Sequence, residues 1–321
     1  MLDRYNRNIN YMRISLTDRC NLRCMYCRPD VTQMVEHTEI LRYEELLRVA
    51  RYAVTLGITR FKITGGEPLV RKGAVDFISR LKKLEGVEQV SLTTNATLLE
   101  QYLPQLIDAK IDGINISIDT LDCDNYTQIT GGGKLKQVLQ SIVAAVNAGI
   151  KCKLNCVPLS FLKSTDLVKL VEFANDLHVP LRFIELMPLA CNNKLSSYSG
   201  SEIRQILEDT GYRLEQVQQN LGNGPSVYYE ATKNETKQIL GFIEPLHNKF
   251  CNSCNRVRLT STGRLKPCLY NKSTLDLRQL LRSGKNDAEI IALLKQSIYN
   301  KPMGHHFEDS PPTFSMNEIG G

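Results

Sequence analysis

Between residues 12 and 186 the chain repeats one pattern of apolar and polar positions. A short stretch alternates apolar with polar residues, as a strand with two unlike faces does. A longer stretch follows with apolar residues at helical spacing. The alternating stretches are 12–17, 60–64, 88–94, 113–118, 151–157 and 180–186. The first helix carries Tyr43, Leu46, Leu47, Ala50 and Val54 on one face and is stopped by Gly57. Further helices are predicted at 73–84, 97–108, 135–148, 164–177 and 200–210.

Strands separated by helices argue for parallel βα units, hence an α/β fold. Eight units would close a barrel; six predict a partial (β/α)6 TIM-like barrel. Each strand keeps one polar face: Arg13, Ser15 and Thr17; Arg60, Lys62 and Thr64; Ser91, Thr93 and Asn95; Asn115, Ser117 and Asp119; Lys153 and Asn155; Glu185 with Met187. The apolar face must meet the helices, so the polar face lines the interior. Such an interior needs a polar ligand or water to satisfy it. The competing arrangement is an antiparallel sheet with one solvated face. From about Pro188 the rhythm stops. A hairpin pairing Ser226–Ala231 with Gln238–Ile243 and helical stretches at 274–282 and 286–298 follow. The expected division is a barrel over 1–190 and a C-terminal region over 191–321.

Composition adds bounds rather than a function. The 321 residues are 42% hydrophobic and 23% charged, with a net charge of +6, and no apolar run is long enough for a membrane span. The first residues lack the apolar core of a signal peptide, so a cytoplasmic location is expected. Lys and Arg form no long basic tract and tryptophan is absent, which argues against nucleic-acid binding. Ten cysteines without an export signal argue for metal ligation or reduced thiols.

Six of those cysteines form two incomplete sets. Cys20, Cys24 and Cys27 have C-x3-C-x2-C spacing, and Cys251, Cys254 and Cys268 have C-x2-C-x13-C spacing. Three thiolates can hold a [4Fe–4S] cluster with one iron left open. The rival is zinc, which takes four protein ligands in a structural site; His247 is the candidate fourth ligand for the second set. Arg256 and Arg258 lie two apart beside Cys254, a spacing that puts both guanidinium forks on one strand face, where they suit phosphate oxygens. Cys123, Cys152, Cys156 and Cys191 show no ligand spacing, Cys152 and Cys156 falling opposite Lys153, under the helices. His178, His305 and His306 read as surface residues.

The first triad, with Tyr26 before its last cysteine, resembles the radical S-adenosylmethionine (SAM) enzymes. Gly-Gly-Glu-Pro at 65–68, Thr-Thr-Asn at 93–95, the second triad with its Arg-x-Arg and the terminal Gly-Gly extend the resemblance to nearly the whole chain. Together they resemble the GTP 3′,8-cyclases of molybdenum cofactor biosynthesis. The resemblance implies two [4Fe–4S] clusters, SAM as cofactor and a C-terminal auxiliary-cluster region. A 5′-deoxyadenosyl radical would abstract hydrogen from ribose carbon 3′ of GTP, whose radical attacks guanine carbon 8.

It further implies SAM contacts from Tyr26, Gly66, Ser117 and Met187. The implied GTP contacts are Arg13, Lys62, Thr93, Lys153 and the Arg256–Val257–Arg258 segment, and Gly320 and Gly321 support catalysis. In Gly65 and Gly66 the missing side chains are expected to let the backbone approach the ligand. Lys62 stands where the family is expected to carry arginine, and Ala96 where it is expected to carry glycine. Implied partners are a cyclic pyranopterin monophosphate synthase downstream and an electron donor, with a homodimer as one assembly. The alternatives are a radical SAM peptide-maturation enzyme and a non-catalytic zinc or iron–sulfur module.

Overall fold

The computed structural model describes residues 1–27, 35–189, 194–219, 221–307, 312, 314 and 316–319. Six strands follow the predicted alternation closely: β1 Tyr11–Ser15, β2 Arg60–Thr64, β3 Gln89–Thr94, β4 Gly113–Ser117, β5 Cys152–Cys156 and β6 Leu181–Ile184. Between them run α1 Tyr43–Thr55, α2 Ala74–Lys82, α3 Leu99–Asp108, α4 Cys123–Thr130, α5 Leu135–Asn147 and, before β6, α6 Ser164–Asp176. Each of β1–β5 pairs in parallel with the next strand in sequence. That excludes the antiparallel arrangement and gives the predicted six-unit partial barrel.

The apolar strand faces lie against the helices. Ile14, Phe61, Ile63, Val90, Leu92, Ile114 and Ile116 are buried there, each contributing about 1.5–3 kcal/mol. Opposite them, α1 buries Leu46, Leu47, Val49 and Ala50. Its N-terminus is fixed by Glu45, whose carboxylate accepts from Arg42 N at 2.7 Å. The same carboxylate accepts from Arg282 at 2.8 Å, at the end of α8 Leu277–Arg282, so the C-terminal region is tied to the barrel's first helix.

After α7 Gly200–Asp209, the later strands join the same sheet at both edges. β9 Thr236–Ile243 pairs in parallel with β6, and β10 Arg256–Leu259 in parallel with β1. Beyond β9 lie the antiparallel strands β8 Val227–Lys233 and β7 Arg213–Val217. Beyond β10 lie β11 Arg264–Lys266 and β12 Leu275–Asp276. Among the described residues the sheet thus has twelve strands and runs from β12 to β7 without closing. The predicted β8–β9 hairpin is present. α9 Asp287–Tyr299 and the short α10 Met316–Ile319 end the chain's regular structure.

Strand direction fixes which loops share an end. The C-terminal ends of β1–β6 lie together, and the loop holding Cys20, Cys24 and Cys27 leaves β1 there. Cys251 and Cys254 precede β10, and Cys268 follows antiparallel β11. The second triad therefore sits at the opposite end of the same sheet. No helix among the described residues is long and apolar enough to cross a membrane.

Candidate active site: two thiol triads across a cationic lumen

Residues in register across neighbouring strands share a face, so pairing alone assembles the interior. One row runs Arg258, Arg13, Lys62, Ser91. Another runs Thr93, Asn115, Lys153, and a third Ser117, Asn155, Arg182, Gly241. Arg256 lies beside Tyr11 in the layer nearest the second triad. A cavity of about 1320 Å³ opens among Lys62, Ser91, Asn115, Lys153 and Arg182.

These cations press on one another. Burial, then Arg182, Arg13, Lys153 and Arg256, hold the Lys62 ammonium well below the ordinary lysine range. Burial, then Arg182 and Lys151, bring Lys153 down to about 8. Burial also lowers Arg258, helped by Arg13 and Arg256. A concave surface of this kind is suited to a polyanion, which would relieve the repulsion and the desolvation together.

At the C-terminal end of the strands, the first triad's loop is held by several ties. Arg23 N and Met25 N donate to the carbonyls of Thr130 and Ile129, both at 2.9 Å, so α4 carries the loop. Asn95 Nδ2 donates to Cys20 Sγ at 3.7 Å and to Asn21 Oδ1 at 3.0 Å. The Tyr26 hydroxyl donates to Asp119 at 2.7 Å, which also accepts from Val157 N at 2.8 Å. Burial lifts Asp119 to about 6. Glu67 pins β2 to β3, accepting from Thr94 Oγ1 at 2.9 Å and Asn95 N at 2.8 Å, and burial lifts it to about 7.

The glycines of this corner have a reason other than ligand approach. A Cβ on Gly66 would meet the Arg19 carbonyl oxygen at 2.3 Å, and one on Gly65 the Thr17 carbonyl oxygen at 2.7 Å. Both residues are small because the start of the thiol loop packs on them. Gly66 N in turn donates to Thr17 O at 2.7 Å.

Both triads fit iron–sulfur clusters by donor type. None of the six thiols is in a disulfide, and all are half-buried. Burial, then the charges of Cys27, Asp119 and Cys20, push the Cys24 thiol well up, so the first three thiols lie together. In the second set, Cys251 feels burial first and then, among other groups, Cys268 and Cys254. Among the described residues no three thiol, imidazole or carboxylate groups converge on one ion-sized point. Buried polar atoms without hydrogen-bond partners flank both sets: Asp18 Oδ1 and Arg19 Nε beside Cys20, and Arg256 Nε beside Cys254. Each is a place where a bound polar group would be satisfied.

Comparison with known proteins completes the picture. Residues 14–174 match the radical SAM superfamily and residues 179–307 the family described as Molybdenum Cofactor Synthesis C. A protein of Thermodesulfovibrio yellowstonii named GTP 3′,8-cyclase is 40% identical, with 100% of both chains covered. Another of that name, from Clostridium perfringens strain 13, is 38% identical over 100% of both chains. The chain belongs to the GTP 3′,8-cyclase family of radical SAM enzymes. A third relative of that name, from Pseudomonas putida strain W619, is 40% identical over 100% of this chain and 98% of its own. The fold is also that of Streptococcus suis SuiB bound to precursor peptide SuiA. There the TM-score is 0.66 and the identity 16%, covering 92% of this chain and 66% of that one.

Among the positions implied by the cyclase family, Arg13, Lys62, Thr93, Lys153, Arg256 and Arg258 share the lumen face. Val257 is fully buried on the other face, so it can offer a ligand only its main chain. Ser117 ends β4 on the lumen face, and Met187 lies in the loop after β6. Gly320, Gly321 and Cys191 lie outside the described residues. Cys152 and Cys156 are buried under the helices, as expected.

Two readings need correction. Glu185 does not face the lumen from a strand, because β6 ends at Ile184. Its carboxylate accepts from Leu246 N at 2.7 Å and pairs with the His247 ring. His305 is half-buried, not superficial, with Nε2 2.8 Å from Pro245 O.

Arg182 was missed. Phasing the alternation of 180–186 on Glu185 and Met187 puts Arg182 on the opposite face, whereas its pairing with Asn155 sets the other phase and places Arg182 in the lumen. The signal available was a lone arginine in an apolar strand, Leu181-Arg182-Phe183-Ile184.

Proposed function

We propose that this chain is a radical SAM GTP 3′,8-cyclase, converting GTP to 3′,8-cyclo-7,8-dihydro-GTP in molybdenum cofactor synthesis. The observation that carries this reading is the pair of thiol triads at opposite ends of one cation-rich lumen. When bound, the first cluster and SAM supply the radical that starts the reaction. Cys20, Cys24 and Cys27 would hold that cluster, and Tyr26, Gly66, Ser117 and Met187 would hold SAM at the same end. Tyr26 would serve through its main chain, since its hydroxyl is committed to Asp119.

Arg13, Lys62, Thr93, Lys153, Arg256, Val257 and Arg258 would hold GTP, with Arg182 added to them. Cys251, Cys254 and Cys268 would carry a second cluster, which would take part in binding the purine. The lumen cations would hold the triphosphate. Gly320 and Gly321 would complete the site from the tail. We assign residues 1–190 to the radical SAM partial barrel and 191–321 to a C-terminal region with the second cluster and further substrate-binding elements. The product would pass to a cyclic pyranopterin monophosphate synthase, in the cytoplasm, with a cellular reductant supplying electrons and a homodimer as one assembly.

Anaerobic reconstitution tests the reading. About eight irons per chain with GTP-dependent release of 5′-deoxyadenosine is the expected result. Cleavage that requires a peptide, or zinc with no SAM cleavage, would overturn it. Replacing Cys251, Cys254 and Cys268 together should leave the first cluster loaded and abolish cyclisation. Surviving cyclisation would remove the second triad from the site.

A further inference from the structure

Lys301, 2% exposed, is among the most enclosed charged side chains of the described residues and lies just past α9, outside every motif considered so far. An ammonium has three N–H donors, and here they meet three acceptors. Nζ donates to Arg256 O at 2.9 Å, to Pro267 O and to the Cys254 thiol. Arg256 is two residues beyond Cys254, and Pro267 precedes Cys268. One buried cation therefore touches both loops of the second triad and one of its sulfurs.

A second buried cation fixes the first. Arg7, paired with buried Asp3 at 2.7 Å, donates to the carbonyls of Lys301, Pro302 and Met303 at 3.4, 2.6 and 2.8 Å. The same guanidinium donates to Cys251 O at 2.9 Å. The segment 301–305 then wraps the triad. A Cβ on Gly304 would lie 3.5 Å from Cys251 Sγ, and the His305 backbone N–H bonds the Cys251 thiol.

We propose that Lys301 is a positioning residue of the second cluster, holding its two ligand loops in register and placing a buried positive charge against its sulfurs. The proposal rests on the second triad binding a cluster. Hydrogen bonds and charge next to cluster sulfurs raise the reduction potential by favouring the more negative, reduced state. In a buried site a charge at hydrogen-bond distance is only weakly screened. A lysine that merely tied two carbonyls together would leave the potential unmoved when a neutral donor replaced it.

The test uses the full-length protein, reconstituted anaerobically, with Lys301→Met, Lys301→Gln and Lys301→Arg. Iron content, loss of iron to a chelator, and a redox titration followed by electron paramagnetic resonance are measured, with the first cluster as internal control. Lys301→Met and Lys301→Gln should move only the second cluster to a more negative potential. They should also speed its iron loss by roughly 10–100-fold, and Lys301→Arg should recover most of both. If Lys301→Met does not accumulate, Lys301→Gln carries the test, since it keeps a hydrogen-bond donor without the charge. Two clusters in every variant with an unmoved second potential would overturn the role of Lys301 alone. A wild-type chain that takes up only one cluster would overturn the second-cluster reading as well.

Discussion

Arg182 is oriented in the lumen by Asn155: its guanidinium donates to the same Asn155 Oδ1 from Nε at 2.9 Å and from Nη2 at 2.6 Å. Nη2 also reaches Asn115 Oδ1 at 2.6 Å. Two neutral amides orient the fork without neutralising it, leaving its charge available to an anion. Replacing Arg182 by Gln removes that charge while keeping a polar side chain beside both amides. GTP affinity should fall by about 10–100-fold, the size of a charge-assisted hydrogen bond of roughly 1.5–3 kcal/mol. Calorimetric titration measures this, and an unchanged affinity would take Arg182 out of the substrate site.

Lys62 shows the cost of such a lumen to the substrate-free protein. Its ammonium is buried among Arg182, Arg13, Lys153 and Arg256. A methionine there should stabilise the substrate-free fold by about 1–3 kcal/mol, as removal of a poorly compensated buried charge does. The same change should weaken GTP binding by tenfold or more. Denaturant unfolding and titration on one protein sample read both effects. A variant less stable than wild type would mean that Lys62 is already compensated within the protein.

The two triads and the six βα units were readable because both are local patterns. Sulfur spacing needs a few residues, and strand alternation needs five. α4 was missed because Cys123–Thr130 buries only Tyr126, Ile129 and Thr130, too narrow a face to show a period. Its ends were nevertheless written in Asp122, which caps Asn125 N at 2.8 Å, and Gly131 at φ +68°. The joining of β9 and β10 to opposite edges of the barrel was not legible. Nothing in Arg256–Leu259 says that its partner is Tyr11–Ile14, some 245 residues earlier by their closest hydrogen-bonded neighbours. The lumen's polarity was visible strand by strand, whereas the placement of the triads at its two ends needed that long-range pairing.

Ala96 stands where the family resemblance leads one to expect glycine, and its backbone is left-handed, at φ +60°. That conformation costs an L-residue roughly 1–2 kcal/mol. Glycine would relieve it but loses about 0.5–1 kcal/mol in chain entropy and about 0.8 kcal/mol for one buried methyl group. Ala96→Gly should therefore change unfolding free energy by less than about 1 kcal/mol. Ala50→Gly, in the middle of α1 and equally buried, should cost about 2 kcal/mol. Urea unfolding of the pair checks the contrast. Equal losses would show that residue 96 is unstrained.

Lys153 gives the site a pH dependence with opposite signs for folding and for binding. Burial, then Arg182 and Lys151, hold it at about 8, below the ordinary 10.5. Between those values the unfolded chain binds more protons than the folded one, so stability of the substrate-free protein should rise with pH across that window. Below pH 8 both states are protonated and this contribution is flat. Binding of a triphosphate favours the ammonium, so above pH 8 the lysine must take up a proton as GTP binds. Affinity should then fall as pH rises from 8 toward 10, and proton uptake should appear as a buffer-dependent enthalpy in calorimetry. Lys153→Arg, always charged, should flatten both curves. If GTP affinity fell with pH as steeply in that variant as in wild type, the titrating group would lie elsewhere in the lumen, and Lys62, held well below its ordinary range by the same neighbours, would be the next to replace.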